Sequence, residues 1–343
     1  MTSSPNPAPH VCAIPGDGIG HEVVPAALRV LRALVPDVRV TEARAGFACF
    51  EETGTALPEQ TLRAIEQADA TLFGAVSSPT RPAPGYRSVI SVLRQSLGLY
   101  ANVRPSVSLP IAASRGNLDF VIVRENTEDL YVGQEERFAD YAVARRVISV
   151  AGSRRIARYA CDLARRERRA LLTIVHKANI LPLTDGLFRD TVREVAAEYP
   201  ELEVEEMLVD TTALRLVVEP ERFAVIVTTN LFGDILSDEA AGLVGGLGLA
   251  PSANIGERGA IFEPVHGSAP DIVGRGIANP LAAIRTVEML LCHLGMPADA
   301  EAVRQAVWET LQAGVVTPDL GGTATTTQVT DEVLAHLETT QGY

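Results

Sequence analysis

Short apolar runs alternate with helical periodicity along the early chain, and that alternation restricts it to an α/β sheet with crossover helices. Val11–Pro15 reads as a strand and ends in Gly16-Asp17-Gly18-Ile19-Gly20. A helix follows, with apolar spacing over Val23, Val24, Ala27, Leu28, Leu31 and Leu34. Val38–Glu42 and Ala70–Val76 read as further strands, with a helix over Pro58–Ala68 between them. Pro79–Gly85 holds three prolines and a glycine and reads as a loop, and Arg87–Gly98 as a helix. Phe120–Arg124, Ala170–His176 and Ala224–Thr229 are compact apolar runs of the kind parallel sheets bury on both faces. Arg137–Val150 predicts an exposed hairpin or arm, and Ala151–Arg168 a basic amphipathic helix whose arginines read as a solvated face. Ala282–Leu294 and Ala298–Ala313 predict packing helices. At 343 residues the chain exceeds the size at which single cores stop growing, about 250–300 residues, so two domains or one large α/β unit are expected.

Composition removes several functional classes. Apolar residues make up 47% and charged residues 21%, which is globular rather than disordered or fibrous. The net charge of −13 argues against a general binder of nucleic acid or anionic membrane. No apolar run is long enough to span a bilayer. Met1–Pro9 lacks the basic and apolar regions of a signal peptide and reads as a Pro-rich tail. The four cysteines, Cys12, Cys49, Cys161 and Cys292, have no CxxC spacing, so a reducing, cytoplasmic setting is expected.

Of 30 basic residues one is a lysine, Lys177. A codon bias explains the arginines but not the exception. Arginine stays protonated, whereas lysine can lose its proton when desolvated or set beside a cation. Lys177 is therefore either a needed titratable amine or a chance survivor. The glycine string at 16–20 resembles a nucleotide-binding turn but lacks GxGxxG spacing, and a tight turn explains it equally. In Asn230-Leu231-Phe232-Gly233-Asp234-Ile235-Leu236-Ser237-Asp238, Asp234 and Asp238 share a helical face. Asp210 ends the strand-like run Glu206–Val209. Three carboxylates with no nearby His or Cys suit Mg²⁺ or Mn²⁺, with a helix-dipole role for Asp234 as the alternative. Arg94, Arg104 and Arg124 lie near the ends of separate elements; they suit a clamp for a polycarboxylic acid, or internal ion pairs.

Together these segments resemble the metal-dependent β-decarboxylating dehydrogenases, the isocitrate/isopropylmalate dehydrogenase family. The resemblance runs from Ile14–Gly20 to Thr317–Gly322, through Leu93–Arg94, Leu99–Pro105, Val123–Tyr131, His176–Asn179, Asn230–Asp238 and His266–Ile272. It implies that family's two-domain α/β fold, not a GxGxxG Rossmann fold. The first domain would comprise residues 1–104 and 251–343, with the cofactor loop. Residues 105–250 would form the second domain, with the metal site and most of a homodimer contact; a tetramer is the alternative assembly. It also implies that Arg94, Arg104 and Arg124 hold the malate portion of a small polycarboxylic 2-hydroxy acid. Asp234 and Asp238 of one subunit, with Asp210 of the other, would bind the metal. Lys177 and Asn179 would also come from the second subunit.

In the chemistry so implied, the metal chelates a carboxylate and the 2-hydroxyl, and Lys177 accepts the hydroxyl proton. Hydride passes to the nicotinamide, CO₂ is lost, and Tyr131 protonates the enolate. Asp210 counts with Lys177 and Tyr131 among the catalytic groups. The cofactor residues are Asn179, Glu263, His266, Gly267, Ser268, Ala269, Asp271, Ile272 and Asn279. Asp271 would accept from the ribose hydroxyls and repel a 2′-phosphate, and NADP-using members resemble Lys-Tyr at 271 and 272, so NAD is expected. The substrate set adds Ser78, Arg87, Ser88, Ser91, Tyr131, Lys177 and Asn179. Gly85-Tyr86-x-Ser88-x-Ile90 looks most like homoisocitrate dehydrogenases, which yield 2-oxoadipate on the α-aminoadipate route to lysine. Some bacterial members carry Arg at the place of Ser91; Arg87 is the candidate replacement. Isocitrate and 3-isopropylmalate dehydrogenases are the alternatives, and a non-catalytic metabolite-binding relative is the remote one.

Overall fold

The computed structural model describes residues 8–79, 81 and 83–341; most of the expected Pro-rich tail, with Thr80 and Pro82 of the 79–85 loop, lies outside that set. The chain forms two compact units: residues up to 93 with 247–253 and 258 onward, and residues 94–246 with 254–257.

In chain order, the first unit supplies β1 (His10–Gly16), α1 (Gly20–Leu34), β2 (Arg39–Glu42), α2 (Phe47–Thr53), α3 (Glu59–Glu66) and β3 (Ala70–Ala75), and α4 (Val89–Leu97) begins in it. The second unit supplies β4 (Ala101–Val107), β5 (Asp119–Glu125), a 3₁₀ turn at Leu130–Val132, β6 (Glu135–Arg137), β7 (Ala142–Ala144), α5 (Val150–Arg166) and β8 (Leu171–His176). It continues through α6 (Thr184–Ala196), β9 (Glu203–Leu208), α7 (Val209–Val218), β10 (Val225–Thr228) and α8 (Asn230–Leu243). The chain closes with β11 (Pro251–Ile255), β12 (Ala260–Pro264), α9 (Leu281–His293), α10 (Pro297–Gln312) and α11 (Thr326–Gln341).

In the first unit the strand order is β2-β1-β3-β12, parallel throughout. Val11, Ile14, Leu72, Phe73 and Phe262 are fully or nearly fully buried, as the apolar runs predict. The glycine string between β1 and α1 is a tight turn that side chains cannot make. Gly16 and Gly18 have φ of +76° and +58°, and a Cβ on Gly20 would sit 1.9 Å from the Pro15 carbonyl. Asp17, buried in this turn, accepts backbone N–H bonds from Phe47 (2.7 Å), Ala48 (3.0 Å) and Ser77 (2.8 Å). Its carboxylate is thus a strut for the start of α2 and the end of β3.

The second unit orders its strands β4-β5-β10-β8-β9, with β5, β10, β8 and β9 parallel and β4 antiparallel to β5. Phe120, Ile122, Val175 and Ile226 pack with Leu216 of α7 and Leu236 and Ala240 of α8. The parallel strands bring their C-terminal ends to one edge, where an open α/β sheet places ligands. Arg124 sits at the end of β5, Lys177 just after β8, Asp210 just after β9 and Asn230 just after β10. The exposed hairpin expected over 137–150 forms two residues earlier, as β6–β7, paired Glu135↔Ala144 to Arg137↔Ala142, with all six strand residues exposed, and Val150 already opens α5.

Two expectations about elements need correction. Asp210 does not end a strand: β9 stops at Leu208, which turns the backbone (φ −70°, ψ 142°) into α7, and Asp210 is in that helix's first turn. Arg104 is not near an element's end but central in β4, where the backbone pairs Arg104 with Ile122. No helix among the described residues is long and apolar enough to cross a membrane.

Candidate active site

The second unit concentrates charge at the C-terminal edge of its sheet. Arg124 is 1% exposed, and burial pulls its guanidinium below the ordinary arginine range. It survives there because every face is answered. Nε and one terminal nitrogen donate to Asn230 Oδ1 at 2.9 and 2.7 Å, and the other terminal nitrogen donates to Asp234. Gly233 allows the approach: a Cβ there would lie 2.6 Å from Arg124 Cγ. The Tyr131 ring lies 5.1 Å from the Arg124 guanidinium carbon, and its hydroxyl donates to Asp234 Oδ2 at 2.6 Å. Burial, then that bond to a carboxylate, raises the Tyr131 pKa, so the phenol keeps its proton.

Arg104 completes the cluster. Its Nε donates to Asn102 (2.9 Å), and a terminal nitrogen donates to Ser237 Oγ (2.8 Å) and Asp238 Oδ1 (2.6 Å). Asp234 lies 3.8 Å away. Burial tends to raise the Asp234 pKa, but the charges of Arg124 and Arg104 and the Tyr131 hydroxyl outweigh it and hold the carboxyl below its usual range. The sequence spacing is therefore realised: Asp234 and Asp238 face the two arginines from successive turns of α8. Asn230 and Ser237, which hold those arginines, were not singled out. Both lie in the segment that drew attention for its carboxylates, and Asn230's position directly after an apolar strand was the available signal.

Lys177 stands apart from this cluster within the chain. Its Nζ meets Asp210 Oδ1 at 2.5 Å, and that bond lowers the Asp210 pKa. Its backbone N–H donates to Asp185 at 2.6 Å. Asn179 is exposed two residues on, and Arg94 lies in the last turns of α4. Among the described residues no three His, Cys, Asp or Glu side chains gather as a metal site. Asp234 and Asp238 do present hard carboxylate oxygens from successive turns of α8, donors that suit Mg²⁺ or Mn²⁺ better than zinc.

The remaining expected residues belong to the first unit. Arg87, Ser88 and Ser91 are exposed around the start of α4, and Ser78 is exposed just after β3. Glu263 is on β12, and His266–Ala269 form the loop that follows. Ser268 is fixed there: its carbonyl accepts from Ile19 N–H (3.0 Å), and its Oγ from Ser77 Oγ (2.8 Å). Gly18 abuts it, since a Cβ there would lie 2.1 Å from the Ser268 carbonyl oxygen. Ala269 takes φ of +40°. With His266 Nδ1 donating to the Gly267 carbonyl (3.0 Å), Nε2 is left a buried acceptor without a hydrogen-bond partner, which fits a loop shaped for a ligand's donor. Asp271 is exposed on the same loop. Asn279 caps α9 by accepting Leu281 N–H (3.0 Å) and donates to Asp319 (3.0 Å).

The profile of the isocitrate/isopropylmalate dehydrogenase family matches residues 10–333. An isocitrate/homoisocitrate dehydrogenase of Thermus thermophilus is 57% identical, over 96% of this chain and 98% of its own. A 3-isopropylmalate dehydrogenase of Methanothermobacter thermautotrophicus is 53% identical, over 96% and 98%. The crystal structure of isocitrate dehydrogenase from Methylococcus capsulatus superposes with a TM-score of 0.91 at 46% identity, covering 96% of this chain and 99% of that one.

Proposed function

The chain belongs to the isocitrate/isopropylmalate dehydrogenase family, and we propose that within it the protein oxidises and decarboxylates homoisocitrate to 2-oxoadipate with NAD⁺, Mg²⁺ or Mn²⁺. Family membership makes it a dehydrogenase of the isocitrate, homoisocitrate and isopropylmalate type, with the α/β fold of its relatives. The finer reading rests on one observation. The entry to α4 offers three exposed polar groups, Arg87, Ser88 and Ser91, around a half-buried Ile90, which suits a distal carboxylate better than an isopropyl group.

On this reading a nicotinamide held by the 263–272 loop supplies the hydride acceptor, and a divalent cation on Asp234, Asp238 and a second subunit's Asp210 supplies Lewis acidity. Arg94, Arg104 and Arg124 hold the carboxylates of the substrate's malate portion. Lys177 takes the 2-hydroxyl proton, a task a guanidinium cannot perform. Tyr131, whose phenol stays protonated beside Asp234, delivers a proton to the carbon that CO₂ leaves. Each site uses Lys177 of one copy with Tyr131 of the other, in a cytoplasmic homodimer.

The test is a panel of kcat/KM values for homoisocitrate, isocitrate and 3-isopropylmalate with NAD⁺ and NADP⁺, with and without chelator. Homoisocitrate should lead with NAD⁺, and chelator should abolish turnover. A lead by 3-isopropylmalate would transfer the α4 entry to an apolar substituent and defeat the substrate assignment.

A further inference from the structure

Each chain carries its candidate groups on three short pieces: the turn carrying Tyr131, the start of α8 and the residues just after β8. Two carboxylates with no exposed surface hold all three. Asp129, at φ of +71°, accepts the backbone N–H of Leu130 (2.9 Å) and of Leu231 (3.0 Å). Asp185 accepts the backbone N–H of Lys177 (2.6 Å). Arg146 lies between them. Its Nε donates to Asp129 Oδ1 at 2.5 Å, one terminal nitrogen donates to Asp185, and the other donates to Thr229 Oγ1 at 2.9 Å. Its guanidinium carbon also sits 4.9 Å from the Phe232 ring centre.

We propose that Arg146 is a positioning residue for the reaction, setting the placement of Lys177 through Asp185 and of Tyr131 and α8 through Asp129. The inference rests on the reading of Lys177 and Tyr131 as proton-transfer groups, and Arg146 itself touches no reacting atom. One cation holds two buried like charges together, and only a planar fork can donate along separate edges to both. Removing it leaves two buried carboxylates without the cation they share, and their repulsion drives them apart. That movement pulls on the backbone N–H groups they hold, and a displacement of about 1 Å at a reacting group costs about 10²-fold in rate.

Two readouts on the full-length protein test this. The control is Arg169→Met, because Arg169 is 15% exposed and bridges Asp119 and Glu167, much as Arg146 is 13% exposed and bridges its pair. With whichever acid the wild type turns over, Arg146→Met should lower kcat about 10–100-fold, with both KM values within about threefold. Arg146→Lys should recover part of that loss, and Arg169→Met should leave kcat unchanged. The second readout needs no turnover. Reductive ¹³C-methylation labels one side chain, the lone Lys177, apart from the amino terminus. Its resonance should move in Arg146→Met and stay in Arg169→Met. A wild type inactive on every acid would sink the proposed function, while the lysine resonance would still decide this inference. Folded Arg146→Met with kcat within twofold and an unmoved resonance overturns it. If Arg146→Met does not fold, wild-type kcat and an unmoved Lys177 resonance in Arg146→Lys overturn it.

Discussion

The two units build their candidate sites from different materials. The second uses side-chain charge: Arg104, Arg124, Asp234, Asp238 and Tyr131 answer one another directly, inside a frame of buried Asn230 and Ser237. The first uses backbone: its loop is set by Gly18 against the Ser268 carbonyl, by the Ile19 N–H donating to that carbonyl and by positive φ at Ala269. Side-chain chemistry that moves protons cannot be replaced by shape, whereas a backbone cradle tolerates any change that leaves its path alone. Substitutions in the two units should therefore fail in different kinetic constants.

The largest effect is expected at Lys177. Lys177→Arg keeps charge and approximate length but removes the transferable proton, so kcat should fall about 10²–10⁴-fold with the thermal midpoint unchanged. Mixing such subunits with Tyr131→Phe subunits should restore activity in heterodimers; silent, verified heterodimers would place both groups in one chain. Next is the cofactor loop. Asp271→Lys with Ile272→Tyr should move the NAD⁺/NADP⁺ preference about 10–100-fold toward NADP⁺, since one repulsive carboxylate is exchanged for an attractive ammonium. Equal preference in the wild type would remove Asp271 as the discriminator.

Which of these features could be read from the sequence follows from how far each depends on distant partners. β5, β8 and β10 are continuous apolar runs and announce themselves. β4 does not, because Asn102, Arg104 and Ser106 alternate with Val103, Pro105 and Val107, and a proline argues against a strand. α7 was hidden because its first residue, Val209, continues the apolar run Met207-Leu208 of β9 past the point where the chain turns helical. At the site, Asp234 and Asp238 were legible because helical spacing is local. The Arg146 pairing with Asp129 and Asp185 was not, because its members lie 17 and 39 positions away and no local pattern links them.

A paired substitution sharpens the contrast between the units. Gly233→Ala drives a methyl into Arg124, whereas Gly18→Ala drives one into the Ser268 carbonyl at a backbone angle alanine resists. The first should raise KM for the hydroxy acid about tenfold with KM for NAD⁺ unchanged, and the second should do the reverse. Steady-state kinetics with each substrate varied in turn would check both, and a shared rise in both variants would dissolve the division. The smallest effect concerns acid. The Asp234 carboxyl is held below its ordinary range in the folded chain, so its contribution to stability is present above the unfolded value of about 3.9 and fades as pH falls through the lower folded value. The gap in thermal midpoint between wild type and Asp234→Asn should hold at pH 7 and shrink below about pH 4.

The ion pairs around Arg104 and Arg124 also shape how ligands compete. Each guanidinium already has a carboxylate of the chain, so an incoming acid exchanges partners rather than filling vacant donors. The aspartates it displaces, Asp234 and Asp238, lose those cations, and a divalent ion is the natural new partner for them. On the proposed reading, acid and cation therefore bind with reciprocal linkage: by whatever factor one tightens the other, it is tightened in return.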